Sequence, residues 1–213
     1  MAGKPLLAAF HLDTKNSSVK DFGKHVASVA KRVGGPKYLA YTPVDGKGPK
    51  DVVYIWFPDG TQGSSGKGSE QDAAKLIEYA KKAKGAYKGY GKAELQRVAE
   101  NGRKPGSPSP YVVALGVKVD PSKAKAMKSA LQQLHRTTLT KTPTRYSAHK
   151  LGDGVHGVVF AGLNSLDELK SGPLHQPQAA MAEHANSLKA SLAGAIKGHY
   201  KQVLKYLPEY SNP

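Results

Sequence analysis

The chain has 213 residues, 39% of them apolar and 23% charged, with 32 Lys and Arg against 16 Asp and Glu and a formal charge of +16. That length suits one large domain or two of about a hundred residues each, and the charge favours nucleic acid, an anionic membrane surface or an acidic protein as partner. Without cysteine there is no disulfide framework, thiolate metal site or cysteine nucleophile, and the apolar run Leu6 to Phe10 is too short for a signal-peptide core or a membrane span.

In chain order, Leu6 to Leu12 reads as a strand, and Asp13 and Asn16 offer capping side chains for a helix. Val19, Phe22, Val26, Val29 and Val33 then step by three and four, which marks one buried helical face. Gly34-Gly35 is the expected left-handed stop. Tyr38 to Val44 and Val52 to Phe57 are strands by their β-branched and aromatic content. A second helix is expected from about Glu70 to Lys84, and a short strand around Lys92 to Val98 closes the first unit.

Residues 100–110 hold three prolines, two glycines and nothing apolar, so they read as a linker. The series then restarts. Tyr111 to Val119 is a strand, Asp120-Pro121 is an N-cap with Pro in the first helical position, and Ala124, Met127, Leu131 and Leu134 form an inward stripe. Strands follow at Thr144 to Lys150 and Val155 to Leu163. Ser165-Leu166-Asp167-Glu168 has the pattern of a capping box for one short turn. A long helix is expected from about Pro177 to Ile196, with Met181, Leu188, Leu192 and Ile196 on one face.

The halves also match locally, since Ala86-Tyr87-Lys88-Gly89-Tyr90 resembles Ala195-Ile196-Lys197-Gly198-His199. The expected fold class is therefore α+β: two tandem ferredoxin-like βαββαβ units, at 1–99 and 111–213, with 100–110 between them. Each unit leaves one sheet face in need of cover. Packing those faces together gives an α+β-barrel-like pseudo-dimer within one chain, and leaving them open gives tandem RNA-recognition modules.

The basic surplus is shared, with 19 basic and 10 acidic side chains in residues 1–105 and 13 against 6 in the rest. Candidate polyanion or partner contacts are Lys75, Lys81, Lys82, Lys84, Lys88, Arg97, Arg103, Lys104, Lys123, Lys125 and Lys128. Tyr54, Trp56, Tyr206 and Tyr210 are candidate aromatic contacts. Lys far outnumbers Arg, which suits diffuse, salt-dependent attraction better than bidentate base reading.

Gly154 to Phe160 with Ser165 to Leu169 is loosely similar to the third strand and following helix of RNA-recognition modules, which stack bases on paired aromatics. Gly157 and Val158 stand where those aromatics belong. Gly60 to Ser69 lacks the glycine and hydroxyl of a phosphate-binding loop. The eight histidines show no His-x-x-x-His pair, and His149 and His156 on neighbouring strands are expected to face each other across a hairpin. His184 lies on the second-half helix, near where some duplicated α+β-barrel enzymes bind haem, an analogy of fold alone.

No catalytic residue, metal or cofactor is assigned. The leading expectation is a non-catalytic interaction or scaffold protein docking on an acidic surface, as a subunit of a larger assembly. The alternatives are a small-ligand-binding or enzymatic α+β-barrel protein and a tandem RNA-binding module.

Overall fold

A computed structural model describes residues 7–14, 19–34, 38–44, 51–56, 75, 78, 87–99, 108–137, 144–150, 155–171, 186, 190, 192 and 194–213. The chain is α+β with antiparallel sheets. Its contacts divide it into two compact units. Unit 1 comprises Met1–Glu94, Lys104–Pro108 and Leu204–Pro213, and unit 2 comprises Leu95–Arg103 and Ser109–Val203.

In unit 1, β1 (Leu7–Thr14) pairs antiparallel with β3 (Asp51–Trp56), setting Phe10 opposite Tyr54 and Ala8 opposite Trp56. β3 also pairs with β2 (Leu39–Pro43), setting Tyr54 opposite Ala40. All of Leu39, Ala40 and Tyr41 are buried, so β2 is covered on both faces, as its unbroken apolar start requires. Between β1 and β2 runs α1 (Val19–Arg32). Its buried residues Gly23, Val26, Ala27 and Ala30 recur at i, i+3, i+4 and i+7, the spacing of one helical stripe. Full burial of Val26 alone is worth about 1.5–3 kcal/mol.

Val33 does not extend that stripe. It is 54% exposed, because the helix has ended at Arg32 and the chain turns at Gly34, φ 66°. The Gly34 N–H closes the turn on the Lys31 carbonyl at 3.3 Å.

β4 (Tyr87–Ala99) is longer than the short strand expected and starts at Tyr87. Of the helix expected over 70–84, Lys75 and Glu78 are described, both helical and exposed. In unit 2, β5 (Tyr111–Val119) pairs along its whole length with β7 (Val155–Leu163), which pairs with β6 (Thr144–Lys150). The last residues of β4 continue this sheet, with Gln96 opposite His149 and Ala99 opposite Ser147. α2 (Ala124–Thr137) packs on β6 and β7 through its stripe of Met127 and Ala130.

Two local caps are formed with one amendment. The Asp120 side chain accepts from the Ser122 amide at 3.0 Å and from its hydroxyl at 2.8 Å, opening a 3₁₀ turn at Pro121–Lys123 that runs into α2. At α3 (Glu168–Ser171), Glu168 reaches back to Asn164 rather than Ser165. It accepts from the Asn164 amide at 3.1 Å and from its side-chain nitrogen at 2.8 Å, because a carboxylate on this short turn meets two donors on one residue there.

The long second-half helix does not include Ile196. Asn186 and Ala190 are helical, but Gly194 (φ 74°) turns the chain and Ile196, 39% exposed, begins β8 (Ile196–Tyr206). The Ala195 carbonyl then accepts from the Asp120 amide at 3.0 Å, tying that turn to the end of β5. The end of β8 belongs to unit 1, where Leu204 to Tyr206 pair antiparallel with Pro43 to Tyr41.

Candidate functional site

The best-defined cluster of chemistry-bearing side chains lies in unit 1, where the chain's final residues meet β2 and α1. Tyr41 stands opposite Tyr206 across the β2–β8 ladder, their rings 5.5 Å apart and inclined by 52°. This tilted geometry suits the aromatic quadrupole and adds about 0.5–1.5 kcal/mol to simple burial. Tyr41 is buried and Tyr206 half-buried, so one edge of the pair reaches the surface. Tyr210 is 3% exposed, on a 3₁₀ turn (Pro208–Tyr210) that lays its ring against Gly23. A Cβ at position 23 would overlap that ring, which is why the helix carries glycine here. Tyr38 is fully buried, and the loss of solvent pushes its phenol well above the usual tyrosine range.

Lys75 is exposed in unit 1; Lys123 on the 3₁₀ turn and Lys125 and Lys128 on α2 are exposed in unit 2. Lys88 and Arg97 lie on β4, with Arg97 opposite Ala148. Lys81, Lys82, Lys84, Arg103 and Lys104 fall outside the described residues. Tyr54 and Trp56 sit on β3 at the register positions given above. Unremarked in sequence, β8 presents exposed Lys197, Lys201 and Lys205, four residues apart along the strand.

His149 stands opposite Gly157 and His156 opposite Lys150, so the two histidines are one residue out of step and are not cross-strand partners. Among the described residues no group of three or more His, Cys, Asp or Glu is arranged to hold a metal. His184 and the Gly60–Ser69 loop lie outside those residues. Asp120 is held below the usual carboxylate range, chiefly by the Ser122 amide and hydroxyl, with smaller help from Lys197 and Lys123. It is a structural cap.

In sequence the chain matches no protein-family model and no curated protein. In structure it is similar to a monooxygenase-like protein from Lactobacillus acidophilus NCFM, with a TM-score of 0.59 at 13% identity over 95% of this chain and 93% of that one. A monooxygenase-like protein from Fusobacterium nucleatum gives 0.59 at 14% identity over 97% and 94%. A chlorite dismutase variant from Candidatus Nitrospira defluvii gives 0.58 at 10% identity over 97% and 93%. The fold is ferredoxin-like.

This correspondence corrects the leading expectation from sequence. A non-catalytic scaffold rested on net charge, yet the fold is one carried end to end by proteins with monooxygenase-like and chlorite dismutase names. Charge is a property of the surface that such a fold carries at little cost to its interior. The scaffold and nucleic-acid readings therefore lose their support. Among the described residues, moreover, no helix is long and apolar enough to cross a membrane.

Proposed function

We propose that the protein binds a small organic molecule, and acts on it, within a ferredoxin-like α+β fold. The observation that carries this reading is the structural likeness over 95% of the chain to a monooxygenase-like protein that is itself covered to 93%. A likeness restricted to one βαββαβ unit would support much less, because that unit serves many unrelated functions. The half-buried Tyr206, its ring tilted against Tyr41, is the described aromatic that we assign to ligand contact.

We further infer that the chain is a duplication, with 1–99 and 111–213 as its halves, and that it is built like an α+β-barrel pseudo-dimer. The pairings support this. In each half the first strand pairs with the third and the third with the second, while the second pairs with the last strand of the other half. The matched segments beginning at Ala86 and Ala195 also enter their strands at equivalent residues, Tyr87 and Ile196.

Thermal melting of the purified chain against a panel of metabolite-sized organic compounds tests the function. Saturable stabilisation by at least one compound is expected, with oxygen uptake in its presence if the reaction is an oxygenation. Stabilisation by polyanions such as heparin alone, lost in moderate salt, would overturn the proposal.

A further inference from the structure

β8 ends at Tyr206, the residue assigned above to ligand contact, and a strand's last residue is ordinarily where pairing frays. Here the pairing goes on in altered form. Tyr41 faces Tyr206 in the β2–β8 register, so Ala40 and Leu207 are the next pair. In an antiparallel ladder such a pair exchanges either both of its N–H···O bonds or neither. Ala40 and Leu207 exchange one, from the Leu207 amide to the Ala40 carbonyl at 2.9 Å. The Ala40 amide donates instead to the Ser211 hydroxyl at 2.9 Å, and that hydroxyl donates to the Leu207 carbonyl at 2.8 Å.

A hydroxyl, which accepts and donates at once, thus stands in the ladder where a direct backbone bond belongs. It holds the two backbones farther apart on that side, and Leu207 lies outside the strand. By the alternation of the ladder, Tyr41 and Tyr206 are a non-hydrogen-bonded pair, whose side chains are close and whose backbone spacing is set by the flanking pairs. One of those flanking pairs is the one that Ser211 bridges. Ser211 is itself firmly placed, being fully buried with its amide donating to the Pro208 carbonyl at 3.2 Å. On one side of it Tyr210 rests against Gly23 of α1. On the other, Asn212 exchanges backbone bonds of 2.8 and 3.1 Å with Tyr38.

We infer that Ser211 is a positioning residue for Tyr206, a role that rests on the reading of Tyr206 as a ligand contact. Its hydroxyl sets the spacing of Ala40 and Leu207. Through that pair it sets the tilt of the Tyr206 ring on Tyr41, and so the aromatic edge offered to a ligand.

Fluorine NMR of the full chain labelled with fluorotyrosine tests this, with two signals assigned by Tyr206→Phe and Tyr111→Phe. Ser211→Ala should move the Tyr206 signal by more than its linewidth and leave that of Tyr111, in unit 2, in place. Ser211→Cys, whose thiol makes longer and weaker hydrogen bonds, should also move the Tyr206 signal, and it serves alone if Ser211→Ala does not fold. A Tyr206 signal unmoved in the folded variant, or an equal movement of Tyr111, would refute the role. No ligand enters the measurement, so that failure is distinct from failure of the small-molecule reading, which the melting panel decides.

Discussion

Gly34 and Gly194 sit at positive φ with no atom within 4 Å of where a Cβ would be, so replacing either by alanine tests backbone conformation without steric overlap. Each substitution should cost about 1–2 kcal/mol, read by denaturant unfolding. Gly23→Ala is the contrasting case, since its φ is ordinary and its penalty is contact with the Tyr210 ring. Overpacking of this kind costs about 1–3 kcal/mol. Pairing Gly23→Ala with Tyr210→Leu should recover part of that loss, whereas no change at Tyr210 should rescue Gly34→Ala. Tyr38 adds a pH signature. Its folded phenol titrates above the unfolded value of about 10, so its contribution to stability is complete below that pH and declines as pH rises toward the folded value. Melting temperature should therefore fall on the alkaline side, and Tyr38→Phe should flatten that fall.

At the scale of elements, Asp120 shows what local chemistry can specify. An aspartate before a proline announces a helix start, and the cap forms with the partners such a sequence implies. Because Asp120 titrates below the usual carboxylate range when folded, its support is present above the unfolded pKa and is lost as pH falls through the folded one. Asp120→Ala should lower the melting temperature at neutral pH and much less in acid. The strands at Tyr111–Val119, Thr144–Lys150 and Val155–Leu163 were legible for the same reason, since alternation and turn residues act over a few positions. Ile196 was misread because a Leu-Ala-rich helix runs into the strand with only Gly194 to mark the break. The bond from Ala40 to Ser211 joins residues 171 apart, and no local pattern signals it. The seat of Tyr210 on Gly23 is equally silent, because a glycine inside a helical stripe looks like a weakness until its neighbour is known.

For the whole molecule, the sequence weighed most heavily on the least informative quantity. A charge of +16 describes solubility and nonspecific attraction, and it leaves the interior free to be almost anything. The order of strands and helices carried more, since it led to the ferredoxin-like topology that the likeness to solved structures supports. The small-molecule site proposed above would sit on that framework, with Tyr206 as its testable edge. Calorimetric titration of the full chain with the organic compound that most stabilises it is the most direct trial. We expect saturable binding that persists in moderate salt and weakens on Tyr206→Ala. No heat with any small molecule, beside salt-sensitive heat with heparin, would contradict the reading and return the function to the charged surface.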